Sequence, residues 1–355
     1  MSKYWSDAIR NLVPYVPGEQ PKLGGITKLN TNENPFPPSP AVNQVLQQFD
    51  TDRLRLYPDP DCSKLKQALA DYYNLNTAQV FVGNGSDEVL AHTFMAFFRQ
   101  PKPLLMPEFT YSFYQVYCNL YDIDAHLIPL QEKFAIDLDD YSIENGGIIF
   151  ANPNAPTSRA LSLDKIEQLL QRNTETVVVV DEAYVDFGAE SAVSLINRYP
   201  NLLVVQTFSK SRSLAGMRVG YAMGDAELIN GLERVKNSFN SYPLDMLALD
   251  TAIAALQDES YFTATTAEII ATREWTTAEL AKLGFDSLPS KTNFLFTSHA
   301  TTPAAVLMSY LREANILVRY FNKPGIDNYL RITVGTRQEM ELLIATLQQC
   351  PRLQT

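Results

Sequence analysis

Between about Val80 and Met223 the chain alternates short, unbroken apolar runs with segments of helical periodicity, and this pattern restricts the fold most strongly. The runs are Val80–Val82, Leu104–Met106, His126–Ile128, Ile148–Phe150, Val177–Val180, Leu202–Val205 and Gly220–Met223. Apolar runs without polar alternation suit strands covered on both faces, as in parallel sheets. Between them Leu163, Ile166, Leu169 and Leu170 recur at helical spacing, and Val89, Phe94 and Phe97 do so more loosely. The alternation predicts an α/β fold, a mostly parallel sheet flanked by crossover helices. The ends read differently. Residues 1–30, rich in Pro and Gly, predict an extended arm. After Pro243 come a long helical stretch, 244–283, a short strand, 293–296, a helix near 303–313, a strand around 331–334 and a final helix from about Gln338. The chain therefore divides into the arm (1–30), grouped with the small unit, a large α/β domain (31–245) and a small α+β domain (246–355).

Composition narrows the function. With 46% hydrophobic residues the 355-residue chain is too apolar for disorder. No stretch approaches the ~20 apolar residues of a membrane span. The first residues lack an apolar signal region, so a cytoplasmic location is expected. Three cysteines and three histidines, all widely spaced, give neither a disulfide framework nor a zinc pattern. Forty acidic against 29 basic residues leave a net charge of −11, which disfavours nucleic acid and anionic membranes but permits a local pocket for a small anion.

Polar, chemistry-bearing residues cluster just after the apolar runs, where open α/β sheets bind ligands. Thr207-Phe208-Ser209-Lys210 follows one run, with Arg218 eight residues beyond Lys210. A desolvated lysine there can form a Schiff base, and an arginine can hold a phosphate bidentately; the plain alternative is a loop lysine and a surface arginine. The run 177–180 ends in Asp181-Glu182-Ala183-Tyr184. An acid there is costly unless paired, and a pyridinium nitrogen would pair it. Such an ending also suits a nucleotide triphosphatase, but no Gly-x-x-x-x-Gly-Lys-Ser/Thr loop accompanies it. Gly83-Asn84-Gly85-Ser86-Asp87-Glu88 is a glycine turn into a helix start, favourable to phosphate or simply a capped helix. It is not Gly-x-Gly-x-x-Gly, so a nicotinamide oxidoreductase lacks its fingerprint. Asn152-Pro153-Asn154-Ala155-Pro156-Thr157 can donate to a ring oxygen or form an Asx turn, and Phe109 and Tyr111 can stack on a ring or fill core.

In combination and order these segments resemble the pyridoxal-phosphate enzymes of fold type I over nearly the whole chain, and in detail the histidinol-phosphate aminotransferase family. The resemblance rests on Leu29-Asn30-Thr31-Asn32-Glu33-Asn34-Pro35-Phe36-Pro37-Pro38, Arg55-Leu56-Tyr57-Pro58-Asp59, the Gly83–Glu88 turn, Thr207–Lys210, Leu214-Ala215-Gly216-Met217-Arg218-Val219-Gly220-Tyr221 and Leu330-Arg331-Ile332-Thr333-Val334-Gly335-Thr336. It implies amino transfer between histidinol phosphate and 2-oxoglutarate with pyridoxal 5'-phosphate as cofactor. By the same resemblance Lys210 carries the cofactor and moves the substrate's α-proton, Asp181 pairs with the pyridine nitrogen, and Tyr184 contacts the ring hydroxyl. Gly85, Ser86, Ser209 and Arg218 hold the phosphate, with Asp87 and Thr207 in the cofactor set, and Tyr111 stacks on the ring. Tyr57 reaches the site of a neighbouring subunit, so a homodimer is implied. Tyr15, Asn32, Arg319 and Arg331 face the substrate. The family's turn reads Asn-Pro-Asn-Asn-Pro-Thr-Gly, whereas here Ala155 and Ser158 stand at its fourth and last positions, which shifts the ring-oxygen contact to Asn154 or Asn152. An aromatic-amino-acid aminotransferase or a threonine-phosphate decarboxylase would share the cofactor residues. A non-catalytic regulator has no physical need for the lysine, aspartate and arginine together.

Overall fold

The computed structural model describes residues 2–10, 12–20 and 24–353. In chain order the strands are β1 (Thr27–Leu29), β2 (Val80–Asn84), β3 (Leu104–Pro107), β4 (Ala125–Ile128), β5 (Gly147–Ala151), β6 (Val178–Asp181), β7 (Leu202–Thr207), β8 (Val219–Gly224), β9 (Phe285–Ser287), β10 (Phe294–His299), β11 (Ile316–Tyr320) and β12 (Leu330–Thr333). Seven of them form one sheet in the order β2-β8-β7-β6-β5-β3-β4, in which only β8 runs antiparallel to its neighbours.

Strand alternation divides the apolar runs between two cores. Ile148, Phe150, Val178, Val180, Leu202 and Val204 pack on one face, against the helices Ser63–Tyr73, Leu163–Arg172 and Met246–Gln257. Ile149, Val179, Leu203 and Val205 pack on the other, against Gly85–Thr93, Phe113–Tyr121 and Ala226–Phe239. Both faces are covered, which is why the runs carry no polar alternation.

The second sheet is larger than the two strands expected, with the order β1-β11-β12-β10-β9. The arm supplies β1, parallel to β11. Leu29, Leu295, Ile316, Leu330 and Ile332 bury one face beneath Ala304–Glu313 and Arg337–Gln348. The long helical stretch is two helices, Met246–Gln257 and Glu259–Lys282, broken at Asp258. Asp258 accepts from the Tyr261 amide and from the Ser39 hydroxyl, so capping the second helix wins over continuing the first.

Candidate active site

β2, β3, β5, β6 and β7 all point the same way, so the segments following them converge at one edge, and the antiparallel β8 begins there. A cavity of about 120 Å³ at this edge is lined by Ser86, Asp87, Tyr111, Ala155, Asp181, Tyr184, Thr207, Ser209, Lys210 and Arg218. It shares Tyr111, Ala155, Tyr184 and Lys210 with a larger cavity of about 530 Å³ reaching towards the small sheet.

Lys210 leaves the turn after β7. Its Nζ donates to the Thr31 carbonyl at 3.5 Å and lies 5.5 Å from the centroid of the Tyr184 ring. Asp181, the last residue of β6, is buried; its Oδ2 accepts from the Tyr114 hydroxyl at 2.6 Å and its Oδ1 from the Ala183 amide at 3.1 Å. Burial raises its pKa to about 6 despite those bonds, so the site gives this carboxylate no full counter-charge.

At the opposite end, helix Gly85–Thr93 opens with amides that have no acceptor within the helix. Gly85 has φ +76°, and a Cβ on it would lie 2.5 Å from an Arg218 guanidinium nitrogen. Only glycine lets that cation lie over the helix start. Arg218 pairs with Asp87 at 2.9 Å, and the other Asp87 oxygen accepts from the Tyr111 hydroxyl at 2.9 Å. The Asp87 carboxylate thus sets the arginine and the aromatic. The Thr207 hydroxyl donates to Ser209 Oγ at 3.0 Å. Cation, hydroxyls and helix start together form an anion-binding corner.

The larger cavity carries the other predicted groups: Tyr15, Asn32, Arg319 and Arg331 all line it. One guanidinium nitrogen of Arg331 donates to the Asn30 carbonyl at 3.0 Å, while its Nε is buried without a partner among the described residues. Burial lowers its pKa. Asn32 donates from its amide to the Tyr184 hydroxyl at 3.0 Å, fixing that ring over Lys210. Arg319, Arg331, Lys210 and Lys323 line this cavity against the single acid Glu108, a basic pocket in an acidic chain.

Two predicted residues stand apart. Asn154 is buried and tied to its own loop and to the segment after β3: its amide donates to Thr157 Oγ1 and to the Phe109 carbonyl, both at 2.8 Å, and its oxygen accepts from Thr110 at 2.9 Å. Asn152 likewise bonds Leu161, and Ala155 is the turn residue that lines both cavities. Neither asparagine is free to meet a ring oxygen. Tyr57 is 80% exposed, stacked on Tyr242 at 4.8 Å, and lines neither cavity. Tyr114 was not anticipated; its partner Asp181 is 67 positions away, and nothing local announces the pairing.

This fold, with lysine, aspartate and arginine around one strand-end cavity, is the one transaminases use, and the chain belongs to the family described as aminotransferase class I and II, whose model matches residues 25–347. Among its relatives, histidinol-phosphate aminotransferase 1 of Hydrogenovibrio crunogenus is 60% identical over 347 residues, spanning 98% of each chain. Histidinol-phosphate aminotransferase of Chromohalobacter salexigens is 58% identical over 348 residues, 98% of this chain and 99% of that one. Among solved structures, histidinol-phosphate aminotransferase of Sinorhizobium meliloti in complex with pyridoxal-5'-phosphate shares the fold at a TM-score of 0.87 and 24% identity, covering 98% and 97% of the two chains. L-threonine-O-3-phosphate decarboxylase of Porphyromonas gingivalis is also similar, with TM-score 0.78 and 26% identity over 91% and 98%.

Proposed function

We propose that this chain is a pyridoxal-phosphate-dependent transaminase that moves an amino group reversibly between L-histidinol phosphate and 2-oxoglutarate, giving imidazole-acetol phosphate and L-glutamate in histidine biosynthesis. The full-length 60% identity to a histidinol-phosphate aminotransferase carries the reading. The decarboxylase likeness is one of fold at 26% identity and does not compete with it.

The site fits the cofactor's chemistry. A buried carboxylate with a raised pKa suits a cationic ring nitrogen, and the corner of Gly85, Ser86, Ser209, Thr207 and Arg218 suits a phosphate. When bound, pyridoxal phosphate supplies an aldehyde that condenses with amines and a ring that delocalises the electrons left by an α-proton. Asp181 would hold the ring nitrogen, Tyr111 would face the ring, and Tyr184, fixed by Asn32, would reach the ring hydroxyl. Lys210 Nζ would carry the proton between the substrate's α-carbon and the cofactor's aldehyde carbon, taking it from one and giving it to the other. Arg331, with its unpartnered Nε, and Arg319 bind glutamate's carboxylate and histidinol's phosphate in alternate halves of a ping-pong course. Tyr15 covers the substrate from the arm.

We also read the enzyme as a homodimer in which Tyr57 serves the neighbouring site, and as cytoplasmic, in keeping with three unpaired cysteines. The boundary between the two units, expected after residue 245, falls instead at Asp258 in this reading, because Met246–Gln257 packs into the large-sheet core. The test is exchange between glutamate and imidazole-acetol phosphate. Wild type catalyses it without releasing carbon dioxide, and Lys210→Ala folds but loses it. Release of carbon dioxide from threonine phosphate, or full activity in Lys210→Ala, would end the reading.

A further inference from the structure

Asn34 lies in the segment Leu29–Pro38 that follows β1, just beyond the arm. Its amide nitrogen donates to two successive carbonyls, those of Lys210 at 3.0 Å and Ser211 at 3.1 Å. Its side-chain oxygen accepts from the Phe36 amide at 3.0 Å, which fixes the amide's orientation. Residues 208–213 lie beyond the last ladder residue of β7 and turn sharply, with Ser213 at φ +59°. The sheet therefore does not hold the backbone that carries Lys210. The Ser213 amide reaches the Lys210 carbonyl only at 3.3 Å. On the other side the Ser211 hydroxyl donates to Asp186, two residues after Tyr184.

The grip on Lys210 is continuous with the rest of the site. Along the stretch 30–34, Asn30 accepts from Arg331, Thr31 accepts from Lys210 Nζ, Asn32 donates to Tyr184, and Asn34 holds the Lys210 and Ser211 carbonyls. The stretch is itself anchored to the small sheet, where Thr333 and Asn293 bond the backbone of Asn32.

We infer that Asn34 is a positioning residue for Lys210: its two hydrogen bonds fix the turn from which the lysine reaches, and so place Nζ over the substrate's α-carbon. This rests on the transaminase reading and deepens it. A lysine that must reach two stations in one turnover depends on where its Cα stands, and a misplacement of about 1 Å can cost about 100-fold. An aspartate of the same size would keep the acceptor for Phe36 but turn an oxygen against two carbonyls. Asn34→Asp therefore removes the donor and sets a charge against the two carbonyls, whereas Asn34→Ala removes donor and acceptor and adds no charge.

The experiment compares wild type, Asn34→Asp and Asn34→Ala, each loaded with pyridoxal phosphate, by the pH titration of the visible band of lysine-bound cofactor and by steady-state kinetics with glutamate. In the variants the midpoint of the titration moves, and kcat falls roughly 10- to 100-fold while KM stays within about threefold. A merely structural asparagine would lower thermal stability and leave the midpoint in place. If Asn34→Asp does not fold, Asn34→Ala, which puts no charge against the carbonyls, decides by the same two readings. A wild-type midpoint with kcat within about twofold overturns the inference, as does a change confined to KM. A wild type that shows no visible band with added cofactor removes the transaminase reading and this inference with it; a normal wild-type band with unmoved variants removes this inference alone.

Discussion

Asp181 and Glu182 are successive residues buried on opposite sides of the large sheet, and they do different work. Asp181 faces the cavity. Glu182 faces the other core, where it accepts from the Ser191 hydroxyl at 2.6 Å, the Ala192 amide at 2.7 Å and the Gln206 amide at 2.8 Å. The Gln206 oxygen in turn accepts from the hydroxyls of Tyr73 and Tyr221. Burial raises Glu182 to about 7 against an ordinary 4.5, so the folded protein holds this proton more tightly than the unfolded chain does. The sign follows: Glu182's contribution is most favourable below the ordinary carboxylate range and declines as pH rises from about 4.5 to about 7. Glu182→Gln removes that decline. Urea unfolding of the cofactor-free protein at pH 4.5 and pH 8 should show the stability difference moving in the variant's favour by roughly 2–3 kcal/mol. A difference that stays constant with pH contradicts the assignment. At this scale the sequence told much about Asp181, because an acid ending a buried strand needs a partner, and nothing about Tyr114.

At the scale of elements, the anion corner depends on how closely β8 crosses the start of helix Gly85–Thr93. A Cβ on Gly220 would lie 2.2 Å from the Ser86 amide nitrogen and 2.4 Å from the Gly85 carbonyl carbon, both backbone atoms that cannot swing aside. Gly220→Ala should push the helix start away from Arg218 and lower the affinity for pyridoxal phosphate at least about tenfold in an absorbance titration, since a charge-assisted phosphate bond is worth roughly 1.5–3 kcal/mol. Gly216→Ala, where a Cβ meets nothing within 4 Å, is the matched control and should bind as wild type does. The same crossing shows why the large sheet was legible: its strands are buried on both faces and announce themselves as apolar runs. The small sheet was half hidden. β1 and β9 have three residues each, too few to display a period, and β1 finds its place only through β11, near the other end of the chain. The turn 152–157 was visible as a turn, but its asparagines looked free for a ligand because sequence does not show that Asn152 already satisfies the Leu161 carbonyl and Asn154 that of Phe109, 45 positions away.

At the scale of the whole molecule, the proposed homodimer can be tested at Tyr57. Tyr57 and its sequence neighbours Leu54 and Leu56 are exposed, and Tyr57 stacks on the exposed Tyr242 away from either cavity. In the proposed two-fold dimer each Tyr57 serves the partner's phosphate corner. Complementation separates that arrangement from a purely structural dimer. Lys210→Ala subunits keep Tyr57, and Tyr57→Ala subunits keep Lys210. In a mixed dimer with shared sites, one site has both defects and the other has neither. Co-refolding equal amounts of the two inactive or weakened variants should therefore restore roughly a quarter of wild-type turnover, since about half the dimers are mixed and each carries one intact site. If Tyr57 served only its own subunit, the lysine-bearing site would keep its tyrosine defect in every dimer, and mixing would restore nothing beyond the Tyr57→Ala parent. The outcome thus assigns Tyr57 to one subunit's site or the other's without requiring any measurement of interface strength.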